Sequence, residues 1–406
     1  MLDEESVADA VRRAQQERTR LRAAGSGGSK SDITSPRDRL LHLDQPTDSI
    51  EVQGDLVTAP ANMTSGRLQS LLAPHRLALP TVGEWQNATL VGALSTGTHG
   101  GSARYGIMAT SVAEMRLVDG LGELVTLGAQ HPDFQHVGVS LGLLGVITQV
   151  TFKCVERFSL KLETDVVPFV EYARNVIEQE SRTEFHASVW APEADRVVRF
   201  AADRCSQPSR PVRREQRFGW RTAVATFLSR RLGLHSAVSP GVFRRTALGD
   251  VSDILSPLDL SPKTVRFRVA ANKILKRAVE FAIDAERAGE ALERFGSLFR
   301  AHPGRLLNPI GLRLSSGDRF SLSPSLGRDT LWMDVFTYGG EPFATEIAAL
   351  AEDLGARCHW GKTMALSPAV VRGQFPGWEA FRATRERFDP NEVFANPFTD
   401  RFGLTG

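Results

Sequence analysis

The sequence predicts an α+β protein of two or three domains, on three observations. Its 406 residues exceed what one ordinary core organises. Up to about residue 157 it strings short strands with few helices and shows no βαβ repeat. From 158 to about 385 a second strand–helix alternation follows, with no internal repeat between the two parts.

The elements follow in order. Residues 4–17 read as a helix, with Val7, Ala8 and Val11 on one side and charges on the other. "RLRAA" reads as a short strand and "GSGGSKSD" (25–32) as a glycine-rich loop. "IEVQGDLVTAP" (50–60) alternates like a strand pair around Gly54 and Asp55. "SGRLQSLLAPHRLALP" reads as a helix ended by Pro74, then a strand reaching Pro80. "VAEMRLVDGLGELVTL" predicts a hairpin turning at Asp119-Gly120, and "LGLLGVITQVTFKCV" a glycine turn feeding a long strand. In the second part "AVEFAIDAERAGEALERFGSLFRAH" predicts one strong helix, and "TLWMDVFTY" a strand.

Composition excludes several classes. With 42% hydrophobic and 24% charged residues the chain reads as globular. No apolar run approaches the ~18 residues of a membrane span, and the first residues do not form a signal peptide, so a cytoplasmic location is expected. Cys154, Cys205 and Cys358 are odd in number and widely spaced, which predicts free thiols. No Cys/His cluster has zinc spacing, and no metal is expected. Nine arginines against one acid, Glu215, fall between Arg210 and Arg245. They read as a solvated basic flap, suited to an anionic substrate, because no nucleic-acid fold signature accompanies them.

Two glycine-rich turns, 25–29 and 97–101, each follow an apolar segment. They are either tight turns without a ligand or nests whose successive N–H groups hold phosphate oxygens. "GSGGSK" lacks the third glycine of a dinucleotide fingerprint, and no acidic residue follows at the proper distance, so a Rossmann NAD site is not expected. Two nests in one α+β domain suit a long diphosphate such as FAD.

"LPTVGEWQNATLVGALSTGTHGG", "SLGLLGVITQVTF", "HWGK" (359–362) and "RFDPNEVFANPF" (387–398), in this order, resemble the aldonolactone oxidase and alditol oxidase group of the vanillyl-alcohol-oxidase superfamily. The resemblance implies a two-subdomain, PCMH-type FAD-binding domain over 1–157. It also implies an α+β substrate (cap) domain over 158–385 and a C-terminal tail, 386–406, returning to the first domain. Ala23, Ala24, Gly25, Ser26, Gly27, Gly28 and Ser29 would wrap the FAD pyrophosphate. Thr89, Gly92, Thr96, Gly97, Thr98 and His99 would line flavin and phosphate, their hydroxyls and imidazole donating to cofactor oxygens, with Ile147 on the adenine side. His359 and Lys362 would reach the flavin's reactive edge from the cap domain, where positive charge stabilises developing negative charge. Taken by themselves, they would be a surface histidine and a solvated lysine.

The departures from the group are specific. Gly28 stands where many relatives carry a histidine bonded to the flavin, so the FAD is expected to be non-covalent. The usual Glu-x-Arg pair reads Gly311-Leu312-Arg313, keeping Arg313 without its carboxylate. An acidic-aromatic run expected after "VRFR" (265–268) is replaced by "VAANKI", and the group's usual opening segment is missing. Lys362, Glu84 or His359 would then take the proton of the substrate hydroxyl, with Arg313 retained beside them. Gly83 occupies the place that controls dioxygen access in this group, and a small residue there favours an oxidase.

The expected activity is oxidation of an alcohol carbon in a sugar-like or cyclitol-like small molecule: a wider, less negative pocket beside Arg313 favours bulky or anionic secondary metabolites over plain alditols and aldonolactones. The alternative is a flavin-fold protein that has lost redox function and serves as a binding partner.

Overall fold

The computed structural model describes residues 3–42, 48–192, 195–206, 248–249, 276–306, 309–338 and 341–406. The arginine-rich stretch 210–245 and "VAANKI" lie outside them.

The first half is built on a five-stranded antiparallel sheet in the order Glu51–Gln53, Leu56–Pro60, Val146–Lys153, Val112–Val118, Leu124–Gly128. The Val146–Lys153 strand lies at its centre, and Val146, Ile147, Val150 and Phe152 are buried, as a strand covered on both faces requires. The opening helix, Glu4–Gln16, is capped by the Asp3 carboxylate and buries Val7, Val11 and Ala14 against Val118, Val146 and Phe394. Leu21–Ala24 pairs in parallel with Arg39–His42. The short helix Leu90–Ser95 starts at Thr89, whose hydroxyl accepts from the Gly92 N–H at 3.2 Å.

The second half centres on an eight-stranded sheet. Its order is Leu248–Gly249, Ser159–Pro168, Arg196–Cys205, Phe185–Ala191, Ile310–Ser315, Thr330–Tyr338, Lys276–Asp284, Arg357–Cys358. The helix Ala288–Ala301 buries Leu292, Phe295 and Phe299, which meet an aromatic stack of Phe169 on Trp190 (centroids 4.4 Å apart).

The single helix predicted over 278–302 is two elements, a strand Lys276–Asp284 and the helix Ala288–Ala301. Val279, Phe281 and Ile283 alternate with period two, but the apolar residues run straight into the helical pattern, which hid the break. Asp284 caps the turn between them by accepting from the Glu286 N–H at 3.0 Å.

The two halves meet through backbone. The Ser102 N–H donates to Leu314 O (2.8 Å), the His186 N–H to Gly101 O (2.9 Å) and the Lys30 N–H to Gly361 O (2.7 Å). The C-terminal segment closes onto the N-terminal half. Leu21 N–H donates to Val393 O at 2.7 Å, and the Asn396 amide donates to Ile33 O and Ser35 O at 2.9 and 3.0 Å.

Candidate active site

A narrow cleft runs between the first glycine loop, the Leu90–Ser95 helix and the turn entering the central strand. Its walls include Ala23, Ala24, Gly25, Ser29, Gly92, Thr96 and Ile147, which the sequence singles out, and Arg22, Ser95 and Gly142, which it does not. The packing leaves no room for larger side chains. A Cβ on Gly25 would lie 2.1 Å from Thr89 Oγ1, and one on Gly92 2.9 Å from the same atom. Gly27 and Gly142 have φ of +65° and +72°, open to glycine at little cost. Arg22 is buried, donates to Leu141 O and Phe394 O, and has its pKa pulled down to about 10 by burial. The Ser95 hydroxyl is buried on the same wall with no hydrogen-bond partner among the described residues. A glycine-walled cleft with a buried cation and an unsatisfied hydroxyl fits a long diphosphate cofactor.

Not every residue expected to face that cofactor has atoms to spare. His99 is buried, its Nε2 3.0 Å from Glu280 Oε1, its Nδ1 2.8 Å from Gly100 O, and its ring stacked on Trp332 at 3.8 Å. Both ring nitrogens are thus taken by protein, which corrects the expectation that its imidazole donates to the cofactor. Thr96 donates its hydroxyl proton to Gly92 O at 2.9 Å. Thr89 serves as the helix cap and the wall against Gly25. The second glycine run also serves the junction between halves, since a Cβ on Gly101 would strike His186 O at 1.9 Å. Gly97 has φ +75°, and Thr98 packs its methyl where a Cβ on Gly83 would fall, at 2.4 Å. Ser26 belongs to the same loop, and a Cβ on Gly28 would face the Trp85 ring at 3.7 Å.

Next to the cleft stands a row of alternating charge. Lys362 Nζ lies 3.1 Å from Glu280 Oε2 and 3.1 Å from Asp334 Oδ1, and Arg313 donates to Glu84 at 2.7 Å. The two ends of the row differ in exposure, 5% for the Glu280 side chain and 50% for that of Glu84. Burial raises the Glu280 carboxyl, but Lys362 and the His99 hydrogen bond outweigh it and hold the group well below the usual range. Burial, reinforced by Glu280, lifts Asp334 to about 6 against the pull of Lys362 and Arg313. Burial alone would lower Lys362, yet the two carboxylates raise it above the ordinary lysine value, so it is a fixed cation. His359 is driven by burial to about 3 and is neutral at pH 7. Its Nδ1 accepts from the Gly361 N–H at 3.0 Å, which assigns the proton to Nε2.

"HWGK" is joined to the first glycine loop directly. Ser31 donates to Trp360 O at 2.8 Å, and Trp360 is buried against Phe375, Phe398 and Phe402. His359 is therefore buried and Lys362 is half-buried between two carboxylates, so they are not a solvated pair. Ligand atoms of His99, Glu280 and His359 lie within 4.8 Å of one another, but the Glu280 oxygens are engaged by His99 and by the Lys362 ammonium, which repels a second cation.

Two site residues escaped the sequence. The acidic-aromatic pair expected after "VRFR" stands further along as Glu280-Phe281, inside the stretch taken for helix. Asp334 stands in "TLWMDVFTY", an acid amid apolar residues of a strand, and that oddity was its only signal. It also alters the reading of Gly311. The pocket beside Arg313 is expected to be less negative, but the Asp334 carboxylate acts on Arg313 from the neighbouring strand, so the charge argument for a bulky or anionic substrate does not hold, while the arginines of 210–245 lie outside the described residues.

Comparison with known proteins identifies the family. The family described as D-arabinono-1,4-lactone oxidase matches residues 150–402, and the FAD binding domain matches residues 2–128. An L-gulono-1,4-lactone dehydrogenase of Mycobacterium tuberculosis is 29% identical over 98% of this chain and 94% of its own. An L-gulonolactone oxidase of Bos taurus is 25% identical over 98% and 92%. A solved solvent-stable cholesterol oxidase shares the fold, with a TM-score of 0.81 at 18% identity over 99% of this chain and 94% of that one. The chain belongs to the D-arabinono-1,4-lactone oxidase family and is an FAD-dependent oxidoreductase.

Proposed function

We propose that this protein oxidises a hydroxyl-bearing carbon of a sugar lactone, with residues 1–157 holding FAD, 158–385 covering it and 386–406 returning to brace the first part. The observation that carries the reading is the Lys362 ammonium, fixed between Glu280 and Asp334 beside the glycine-walled cleft. The names of the relatives, lactone oxidases and a lactone dehydrogenase, support the substrate class. Bound FAD supplies the acceptor for the hydride. Gly25, Gly92 and Gly142 let the backbone approach it, Ser95 offers an unpaired hydroxyl and Arg22 a buried positive charge. Lys362 stabilises negative charge as it develops at the reacting end. Arg313, anchored by Glu84, orients the oxygens of the substrate. Gly28 cannot form a covalent link, so the cofactor is held non-covalently. Dioxygen is the acceptor that the small Gly83 admits.

The test is anaerobic mixing of the flavin-loaded protein with L-gulono-, L-galactono- and D-arabinono-1,4-lactone, xylitol, sorbitol and cholesterol. The lactones should bleach the flavin band fastest. Bleaching by cholesterol or a polyol alone would overturn the substrate class. Air should then restore the band.

A further inference from the structure

Three neighbouring strands place one residue each in a single cross-strand row. Gly311 pairs with Asp334, and Asp334 pairs with Glu280. Directly opposed residues project from the same face of a sheet, and Arg313, two positions along from Gly311, shares that face. Lys362 reaches the row from beyond the sheet edge and touches both carboxylates. The two acids are not equivalent. Glu280 is spent, with one oxygen on His99 and the other on Lys362. Asp334 uses Oδ1 for Lys362, and among the described residues Oδ2 makes no hydrogen bond. Gly311 leaves room for a Cβ between the two side chains: one there would meet Asp334 Cβ at 3.6 Å and Arg313 Nη1 at 3.5 Å, both ordinary contacts.

We propose that Asp334 is the substrate-facing carboxylate of this site, taking the proton of the substrate hydroxyl through Oδ2 beside Gly311 and Arg313. The inference rests on the oxidation proposed above. The O–H bond breaks, its proton goes to Asp334 and its electron pair forms the C=O bond. The adjacent C–H bond breaks with its pair, which leaves as hydride to FAD. The proton then passes to solvent along the side where Arg313 and the half-exposed Glu84 lie. The charged groups facing Asp334 are Lys362, Glu280, Arg313 and Glu84, and with burial they set its proton affinity near pH 6, where a base can work.

Asp334→Asn keeps the shape and removes the base. Flavin content should stay at the wild-type level, while anaerobic reduction by the lactone falls about 10²–10⁴-fold. The wild-type reduction rate should rise with pH through about 6, and the variant should lose that limb. In Gly311→Glu/Asp334→Ala, a carboxylate supplied from the other strand should recover at least tenfold over Asp334→Ala. An Asp334→Asn protein that reduces at the wild-type rate with the same pH limb overturns the inference. Sulfite, an anion whose binding bleaches the flavin band, gives a readout that needs no substrate. Asp334→Asn should bind it more tightly than wild type at pH 8, and the two should converge below pH 6, the reagent's own titration cancelling in the ratio. Equal affinities at both pH values overturn the placement of Asp334. If no sugar lactone reduces the wild-type flavin while the sulfite difference holds, the substrate class fails and the placement of Asp334 is upheld.

Discussion

Replacing Lys362 by methionine leaves two buried carboxylates, Glu280 and Asp334, opposed across a strand pair without their shared cation. The expected result is a loss of about 10²–10³ in the rate of flavin reduction, as for other single electrostatic contacts to a developing charge. A stability loss of about 3 kcal/mol should accompany it, since breaking a buried pair strands its partner. Lys362→Arg, which keeps the charge, should recover most of the stability and less of the rate. Stopped-flow reduction and urea titration separate the two effects, and a methionine variant with near-normal reduction would contradict the role. Gly25→Ala brings a methyl to 2.1 Å from Thr89 Oγ1, so the purified protein should carry less flavin, and Thr89→Ala added to it should restore the content. Lys362 and His359 were legible in the sequence because they sit together in "HWGK". Asp334 was not, because its place follows from the register of two strands whose pairing no local pattern reveals.

The segment from Phe388 to Asn396 serves the fold and supplies no side chain to the charged row. "RFDPNEVFANPF" carries the family resemblance, yet its acid faces inward. Asp389 accepts from the Val393 and Phe394 N–H groups at 2.8 and 2.9 Å, and burial lifts its carboxyl to about 6. A Cβ on Gly120 would lie 2.3 Å from Asp389 Oδ1, so the Asp119–Gly120 turn packs straight onto it. Asp389→Ala should therefore cost about 2–4 kcal/mol, with two buried N–H groups left unpaired, measured as a shift in the denaturation midpoint. An unchanged midpoint would mean water replaces the carboxylate. Helices with clear caps and hairpins with Gly turns were readable from local chemistry. The strand Lys276–Asp284 was not, because it joins a helix without polar punctuation, and with it Glu280 was lost from view.

Across the whole molecule, neither half holds the site alone. The glycine loop, Arg22 and Ser95 come from the N-terminal half, while Glu280, Arg313, Asp334 and Lys362 come from strands and loops of the second. The backbone bonds at Ser102, Gly101 and Lys30 fix the two against each other. Cofactor binding should accordingly stabilise the fold by mass action, by about 2.7 kcal/mol at a free FAD concentration of 100 times Kd. Acid precipitation followed by filtration should release all of the flavin, and fluorescence retained on the denatured band would contradict non-covalent binding at Gly28. The α+β class was visible in the sequence from its mix of short strands and few helices. The join was not, because it is made of backbone contacts between residues far apart in the chain. The most direct measurement compares anaerobic flavin reduction by L-gulono-1,4-lactone with reduction by the same lactone deuterated at the carbon that is oxidised. Hydride transfer within this charged row predicts rapid bleaching by the light lactone and clearly slower bleaching by the deuterated one. A fully flavin-loaded protein that neither lactone bleaches would contradict it.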